Sequence, residues 1–480
     1  MDLTSEVFRN SAQRAIEWVI NYFKNTNEYP VLSRVKPGDI KAQLPTLPPS
    51  LPESFDKILD DFEKVIIPGI THWNHPRFFA YFSITGSYPG IIGEFLASAL
   101  NVNAMNWKSS PAATELEEVV LDWFRYMVGL PDNFMGIIND SASISSLCAL
   151  AAARESIACH IRELGLSGRP DVPQLTIYVS QETHSSIERA AIVLGIGQHN
   201  VRKISTDSVF RMNAHELEET IRLDIVKGFK PVCVVGTIGT TSSTSIDPVA
   251  EIASICRKYN IWLHVDAAYG GPVAILPEKK EHFLGWESAD SIVLNPHKWM
   301  FTPIDCSVLF CRRADVLKNA FSLVPEYLRT SEQDLVKNYM DYGVTLGRRF
   351  RALKLWMIIR SYGTNQIQNT LRSHLEYAQH LKGMIDNDDD FELIAPVPFS
   401  TVVFRWNPHQ GKNTHSTDEL NSLNERLMNA INATGEVFLS HTKLRGIFCI
   451  RLAIGNIKTT RDDINLAWNI IRQQASTLLG

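Results

Sequence analysis

The sequence has little that would tie it to nucleic acid, a metal or a membrane. Its 47 Lys and Arg are outnumbered by 52 Asp and Glu, and the net charge of −5 provides no basic field for a polyanionic strand or an anionic lipid surface. No apolar run reaches the roughly 18 residues of a membrane-spanning helix. The opening residues Met1-Asp2-Leu3-Thr4-Ser5-Glu6 lack the basic and apolar regions of a signal peptide. Seven cysteines are scattered from Cys148 to Cys449 without a CxxC pair, which excludes a disulfide framework and a thiolate metal site. HExxH and similar ligand spacings are missing, so no metal is expected. Internal repeats and low-complexity segments are absent too. These absences lead us to expect a cytoplasmic globular protein that works on a small molecule.

What is present fits that expectation. With 480 residues, 45% hydrophobic and 21% charged, the chain is long enough for two or three ordinary domains. Phe8, Ala12, Ala15, Ile16, Val19, Ile20 and Phe23 form a helical stripe, and Phe55, Ile58, Leu59, Phe62, Val65 and Ile66 form a second. Between them lie Pro30, Pro37, Pro45, Pro48, Pro49 and Pro52, too many for regular structure. Two such helices cannot make a core alone, and a partner subunit is a natural surface for them.

From about residue 86 short apolar strands (175–179, 232–237, 261–266, 290–294, 306–311) alternate with helical patterns (143–158, 184–195, 214–226, 248–259). This predicts an α/β fold, a mostly parallel sheet with helices on both faces. A long helical stretch near 346–386 precedes strands near 400–405 and 447–454 and helices at 418–432 and 460–477, which predicts a small α+β C-terminal domain. The expected division is 1–85, 86–360 and 361–480.

Ligands of parallel sheets bind beyond the strand C-termini. Asp266 ends the apolar run Ile261–Val265, and Lys298 follows Ser291-Ile292-Val293-Leu294 within Asn295-Pro296-His297-Lys298-Trp299. An amine and a carboxylate at neighbouring strand ends suit pyridoxal phosphate: the amine holds the aldehyde, and the carboxylate keeps the pyridine nitrogen protonated. Ser141-Ala142-Ser143 opens a helix and can cradle a phosphate, although a serine cap without ligand reads equally well. Asp140 beside it is compatible with a phosphate only if its carboxylate points away. His184 follows a strand and can stack on a ring or handle a proton. Thr241 closes a further strand-end turn, and Asn295 and His297 can donate to a phosphate.

These motifs resemble the group II pyridoxal-phosphate decarboxylases, and within them the aromatic L-amino acid decarboxylases. The resemblance rests on His264-Val265-Asp266-Ala267-Ala268-Tyr269-Gly270 and Asn295–Trp299. It extends in the same order through His72-Trp73-Asn74-His75-Pro76, Ser110-Pro111-Ala112-Ala113-Thr114-Glu115-Leu116-Glu117, Thr183-His184-Ser185-Ser186 and Leu346-Gly347-Arg348-Arg349-Phe350. It implies a fold-type I homodimer, with active sites at the interface and the N-terminal helices clasping the partner. Lys298 would carry the cofactor, Asp266 pair with its ring nitrogen, His184 stack on the ring and Ala268 lie beneath it. Ser141, Ala142, Ser143, Asn295 and His297 would hold the phosphate, with Thr241 near the ring substituents. Tyr327 matches the tyrosine of a mobile loop that protonates the carbanion. Trp73, Tyr81, Phe82, Asn103, Met105 and Gly347 would line the substrate pocket, with Trp299 a further aromatic beside the lysine. Gly347, where some relatives have serine, leaves room for an indole or a catechol.

The expected activity is decarboxylation of tryptophan, DOPA, tyrosine or phenylalanine. An aldehyde synthase of the same family and a decarboxylase of a non-aromatic amino acid are the alternatives. Retention of Tyr327 and His184 favours simple decarboxylation over the synthase. The presence of both Lys298 and Asp266 speaks against a catalytically silent scaffold.

Overall fold

The computed structural model describes residues 3–157, 159–323, 335–408 and 415–479. The chain forms two compact units, one of residues 1–83, 383–392 and 404–480, the other of residues 84–382 and 393–403. The N-terminal arm therefore shares a unit with most of the C-terminal segment, where three successive domains were expected. The reason lies in side-chain contacts within that unit. The Tyr22 hydroxyl meets His72 Nδ1 at 3.0 Å, Lys458 Nζ donates to the Phe23 carbonyl, and the Thr459 hydroxyl donates to the Pro76 carbonyl at 2.6 Å.

The larger unit is built on seven strands: β1 (Met135–Asn139), β2 (Leu175–Ser180), β3 (Val201–Ile204), β4 (Lys230–Thr237), β5 (Trp262–Asp266), β6 (Ser291–Leu294) and β7 (Ser307–Cys311). Their order is β1-β7-β6-β5-β4-β2-β3. β7 runs antiparallel to both neighbours, and every other pairing is parallel. The C-terminal ends of β1, β2, β4, β5 and β6 thus share one edge. Every residue of β2, β5, β6 and β7 is buried, as a sheet covered on both faces requires.

Two of these strands were not expected. β1 is a short edge strand containing Gly136, and its apolar residues read as the approach to a helix. β3 (Val-Arg-Lys-Ile) carries two cations on four residues, an edge strand blunted by charge. The helical stretch also begins later than expected, at Ala352, and runs to Asp386 with a break at Gly363, whose φ of 64° and ψ of 165° are outside the helix. The expected 360/361 boundary therefore falls inside this segment, close to the break.

The smaller sheet has the order β10-β11-β9-β8, from β8 (Phe391–Leu393), β9 (Thr401–Trp406), β10 (Ser440–Leu444) and β11 (Ile447–Ala453). β10 and β11 form a hairpin through Arg445-Gly446, both with positive φ, which matches the twist of the strands. Among the described residues no helix is long and apolar enough to cross a membrane.

Candidate active site

Adjacent parallel strands deliver the two central groups. Asp266 is the last residue of β5, and Lys298 lies in the short helix Pro296–Trp299 that follows β6. Asp266 is buried, and its Oδ1 accepts the Ala268 N–H at 3.0 Å, so the turn after the strand fixes the carboxylate. Ala268 is buried in that turn. Lys298 is half-buried, and its backbone N–H closes onto the Asn295 carbonyl at 2.9 Å.

His297 shows how the neighbouring donors are prepared. Its Nδ1 accepts the Cys306 N–H at 2.9 Å, so the neutral ring carries its proton on Nε2, as a donor. Burial first, and the Lys298 charge second, push its pKa down to about 3. The Asn295 side-chain oxygen is buried without a hydrogen-bond partner, which marks a place where a bound group completes the contacts.

The helix Ala142–Glu155 lies against β1, β4, β5, β6 and β7 with its N-terminus at the same sheet edge. Ser141 caps it, accepting the Ile144 N–H at 3.4 Å and donating its own proton to Asp140 Oδ1 at 2.8 Å. The Ser141 hydroxyl is therefore engaged with Asp140, and the N–H groups of the helix's first turn are the natural phosphate donors. Asp140 also lies in the field of Arg351, which pairs with Asp305 at 2.8 Å and offsets its charge. Ser143 is exposed on the first turn.

His184 sits between β2 and the helix Ser186–Val193, which begins two residues later than the expected start at 184. Its Nδ1 accepts the Ser186 N–H at 3.2 Å, which again leaves a neutral ring with its proton on Nε2. The ring is exposed, yet its pKa is lowered, first by the protein around it and then by Lys298, while Asp266 opposes. His184, Asp266 and Lys298 are thus within electrostatic reach of one another. Thr241 is exposed on the turn after Thr240, whose hydroxyl meets Ser243 at 2.9 Å. Tyr327 lies outside the described residues.

The expected substrate residues fall into two groups. Asn103, Met105 and Gly347 come together in the larger unit. Asn103 accepts the Arg348 N–H at 2.9 Å and reaches Met105 Sδ at 3.5 Å, and a Cβ on Gly347 would stand 4.0 Å from Asn103 Nδ2. Trp73 and Tyr81 stack at 5.8 Å in the smaller unit, and Phe82 is buried there beneath the Arg451 guanidinium at 5.0 Å. Trp299 stands apart from both groups. It is fully buried, stacks on Tyr269 at 4.8 Å and donates to His374 at 2.9 Å, which anchors the lysine's short helix from below.

Comparison with known proteins decides among the chemistries this edge allows. Residues 37–407 match the pyridoxal-dependent decarboxylase conserved domain. The chain belongs to the pyridoxal-dependent decarboxylase family. It is 40% identical to tyrosine decarboxylase 4 of Petroselinum crispum over 99% of this chain and 95% of that one. It is 39% identical to phenylacetaldehyde synthase of a Rosa hybrid cultivar over 99% and 95%. Its fold matches the Oryza sativa TDC structure with PLP and tryptamine at a TM-score of 0.96 and 34% identity, over all of both chains. Pyridoxal 5'-phosphate is the cofactor of this decarboxylase fold, and the buried, partnerless Asn295 oxygen, the His297 donor and the helix N-terminus fit its phosphate.

Two supports of the decarboxylase site lie within the quoted motifs but were given no role from the sequence. His264 is fully buried, with Nδ1 2.8 Å from Ser291 Oγ and Nε2 3.2 Å from Ser146 Oγ, so it ties β5 to β6 and to the cradle helix. Its position two residues before Asp266, pointing to the same strand face, was the available signal. Arg348 and Glu117 form a buried ion pair at 2.6 Å, with Arg348 donating to the Ile138 carbonyl and Glu117 accepting the Ile138 N–H. That pair joins β1 to the Asn103–Gly347 cluster, and only the fold brings its members together.

Proposed function

We propose that this decarboxylase converts aromatic L-amino acids to the corresponding amines, with Lys298, Asp266, His184 and Tyr327 as its catalytic residues. The observation that carries the reading is the pairing of Lys298 and Asp266 at adjacent strand ends with His184 in their field, in a chain similar along its whole length to plant tyrosine and tryptophan decarboxylases. Bound pyridoxal phosphate supplies an electron sink for the pair left when the carboxylate departs as carbon dioxide. The chain's own groups do the rest. Lys298 holds the cofactor and takes it back after turnover. Asp266 keeps a proton on the pyridine nitrogen, so the ring stays electron-poor. His184 offers a flat neutral face and an Nε2 proton. Tyr327 returns a proton to the substrate Cα. The first-turn N–H groups at Ser141, Ala142 and Ser143, with Asn295 and His297, hold the phosphate, Thr241 stands near the ring substituents and Ala268 packs beneath the ring.

A homodimer belongs to this proposal. Val7, Phe8, Ile16 and Ile20 on the first helix, and Tyr88, Ile92, Phe95, Leu96 and Leu100 on the helix Tyr88–Leu100, are exposed apolar side chains. Each is about half exposed, so covering it would contribute about 1 kcal/mol, and a second copy is the surface that suits them. Trp73, Tyr81, Phe82, Asn103, Met105 and Gly347 are the residues assigned to substrate contact in this reading.

The similarity to an aldehyde synthase, at an identity close to that of the decarboxylases, supports a second reading in which oxygen meets the carbanion. One assay separates them. Holoenzyme is given tyrosine, DOPA, tryptophan, phenylalanine and glutamate, and amine, aldehyde and peroxide are measured. Amine from the aromatic substrates with little peroxide is expected. Aldehyde with equimolar peroxide would establish the synthase, and a preference for glutamate would end the aromatic assignment.

A further inference from the structure

We propose that a second cavity, at the opposite edge of the seven-stranded sheet, binds a small polyanion: a phosphorylated or polycarboxylate metabolite with at least two negative charges. The cavity has a volume of about 510 Å³ and is lined by the start of β4 at Lys230, the start of β5 at Trp262, and Arg312 and Arg313 beyond the end of antiparallel β7. Arg257 and Asp290 complete its charged lining. These positions are at the N-terminal ends of the parallel strands, about 17 Å of strand away from the Asp266 edge. The decarboxylation reading uses none of them.

Charge balance carries the inference. In a chain of net charge −5, four cationic side chains meet here against the single carboxylate of Asp290. That carboxylate is already engaged, accepting the Leu263 N–H at 2.9 Å and pairing with Arg312 at 3.2 Å. Among the described residues Lys230, Arg257 and Arg313 have no carboxylate within ion-pair distance. The Arg313 guanidinium is nevertheless positioned, lying 5.2 Å over the ring of buried Trp262, which leaves its N–H edge free to donate.

Two of these cations have a local explanation, and the first is Arg312, which pairs with Asp290. Arg257 is in the last turn of the helix Val249–Tyr259, where a positive charge offsets the helix dipole. Arg313 has none, because it directly precedes the helix Ala314–Phe321, whose N-terminus is itself positive. An anion in the cavity would answer its charge. The volume lies within the range of small-molecule sites, and convergent guanidinium groups suit phosphate or carboxylate oxygens.

The test uses holoenzyme saturated with pyridoxal phosphate, so that the cofactor's own phosphate site is filled. Pyrophosphate and citrate are titrated separately at constant ionic strength, by calorimetry and by the fluorescence of Trp262 relative to a Trp262→Phe control. We expect saturable binding of at least one of them at one site per chain. Arg313→Ala should weaken it by about tenfold, the worth of one charge-assisted contact, while leaving kcat unchanged. Arg257→Gln, at an exposed position, is the second variant and should also weaken binding. Pyrophosphate alone would identify a phosphorylated ligand, and citrate alone a polycarboxylate. No saturable binding of either up to about 10 mM, or equal binding by wild type and both variants, would overturn the proposal.

Discussion

The Lys298 edge and the Asn103–Gly347 cluster lie in one compact unit but are made in opposite ways. At the lysine edge each group sits at a strand end or within four residues of one, and backbone bonds fix it: Ala268 N–H on Asp266, Cys306 N–H on His297, Ser186 N–H on His184. The Asn103–Gly347 cluster belongs to connecting segments. Asn103 and Gly347 are exposed, and the cluster is held to the sheet by the buried Arg348–Glu117 pair. In the proposed function this division places the chemistry on the sheet edge and substrate recognition on the connecting segments. Chemistry placed on a rigid sheet edge tolerates no drift, while recognition on loops can change without disturbing it.

The contrast can be broken most severely from the loop side. Glu117→Ala leaves Arg348 buried without its carboxylate, and removing one partner of such a pair costs about 3–5 kcal/mol. Urea unfolding of the variant should show that loss. A change below about 1 kcal/mol would mean the pair behaves like an exposed one and does not anchor the cluster.

A smaller effect marks the lysine edge. Burial pushes His264 down to about 4 and His297 to about 3, so both are neutral when folded and take up protons when unfolded below about 6.5. Their stabilising contribution is complete above that pH and is lost as the pH falls towards 4. Buried Asp247, raised from 3.8 to about 7, acts in the opposite sense over that interval, since its contribution is lost as the pH rises. These two histidines against that aspartate contribute a net loss of about 1 kcal/mol per pH unit on acidification, and His75, pushed down to about 3 by burial, adds to it in the same direction. Unfolding free energies of the apoenzyme at pH 7 and pH 5 should differ in that direction. Equal stability at both would contradict the burial of these rings.

Much of this was legible in the sequence, for identifiable reasons. Asp266 and Lys298 follow continuous apolar runs, so their strands announce where the side chains emerge. The β1 and β3 edges were missed because a five-residue strand before a helix and a strand with two cations do not show a buried strand's pattern. Trp299 could be noted only as an aromatic beside the lysine, because adjacency to Lys298 says nothing about direction. In the fold the ring turns into the core to stack on Tyr269, which lies far off in sequence. The Arg348–Glu117 pair and the polyanion cavity depend on contacts between distant segments, and no local spacing reports those.

The central claim is that Lys298 carries the cofactor. Borohydride reduction of the holoenzyme, followed by proteolysis and mass spectrometry, tests it directly. The account predicts a pyridoxyl-phosphate adduct on the peptide containing Asn295-Pro296-His297-Lys298, located on Lys298 and absent from a Lys298→Ala variant. An adduct on another lysine, or cofactor released unattached after reduction, would contradict it.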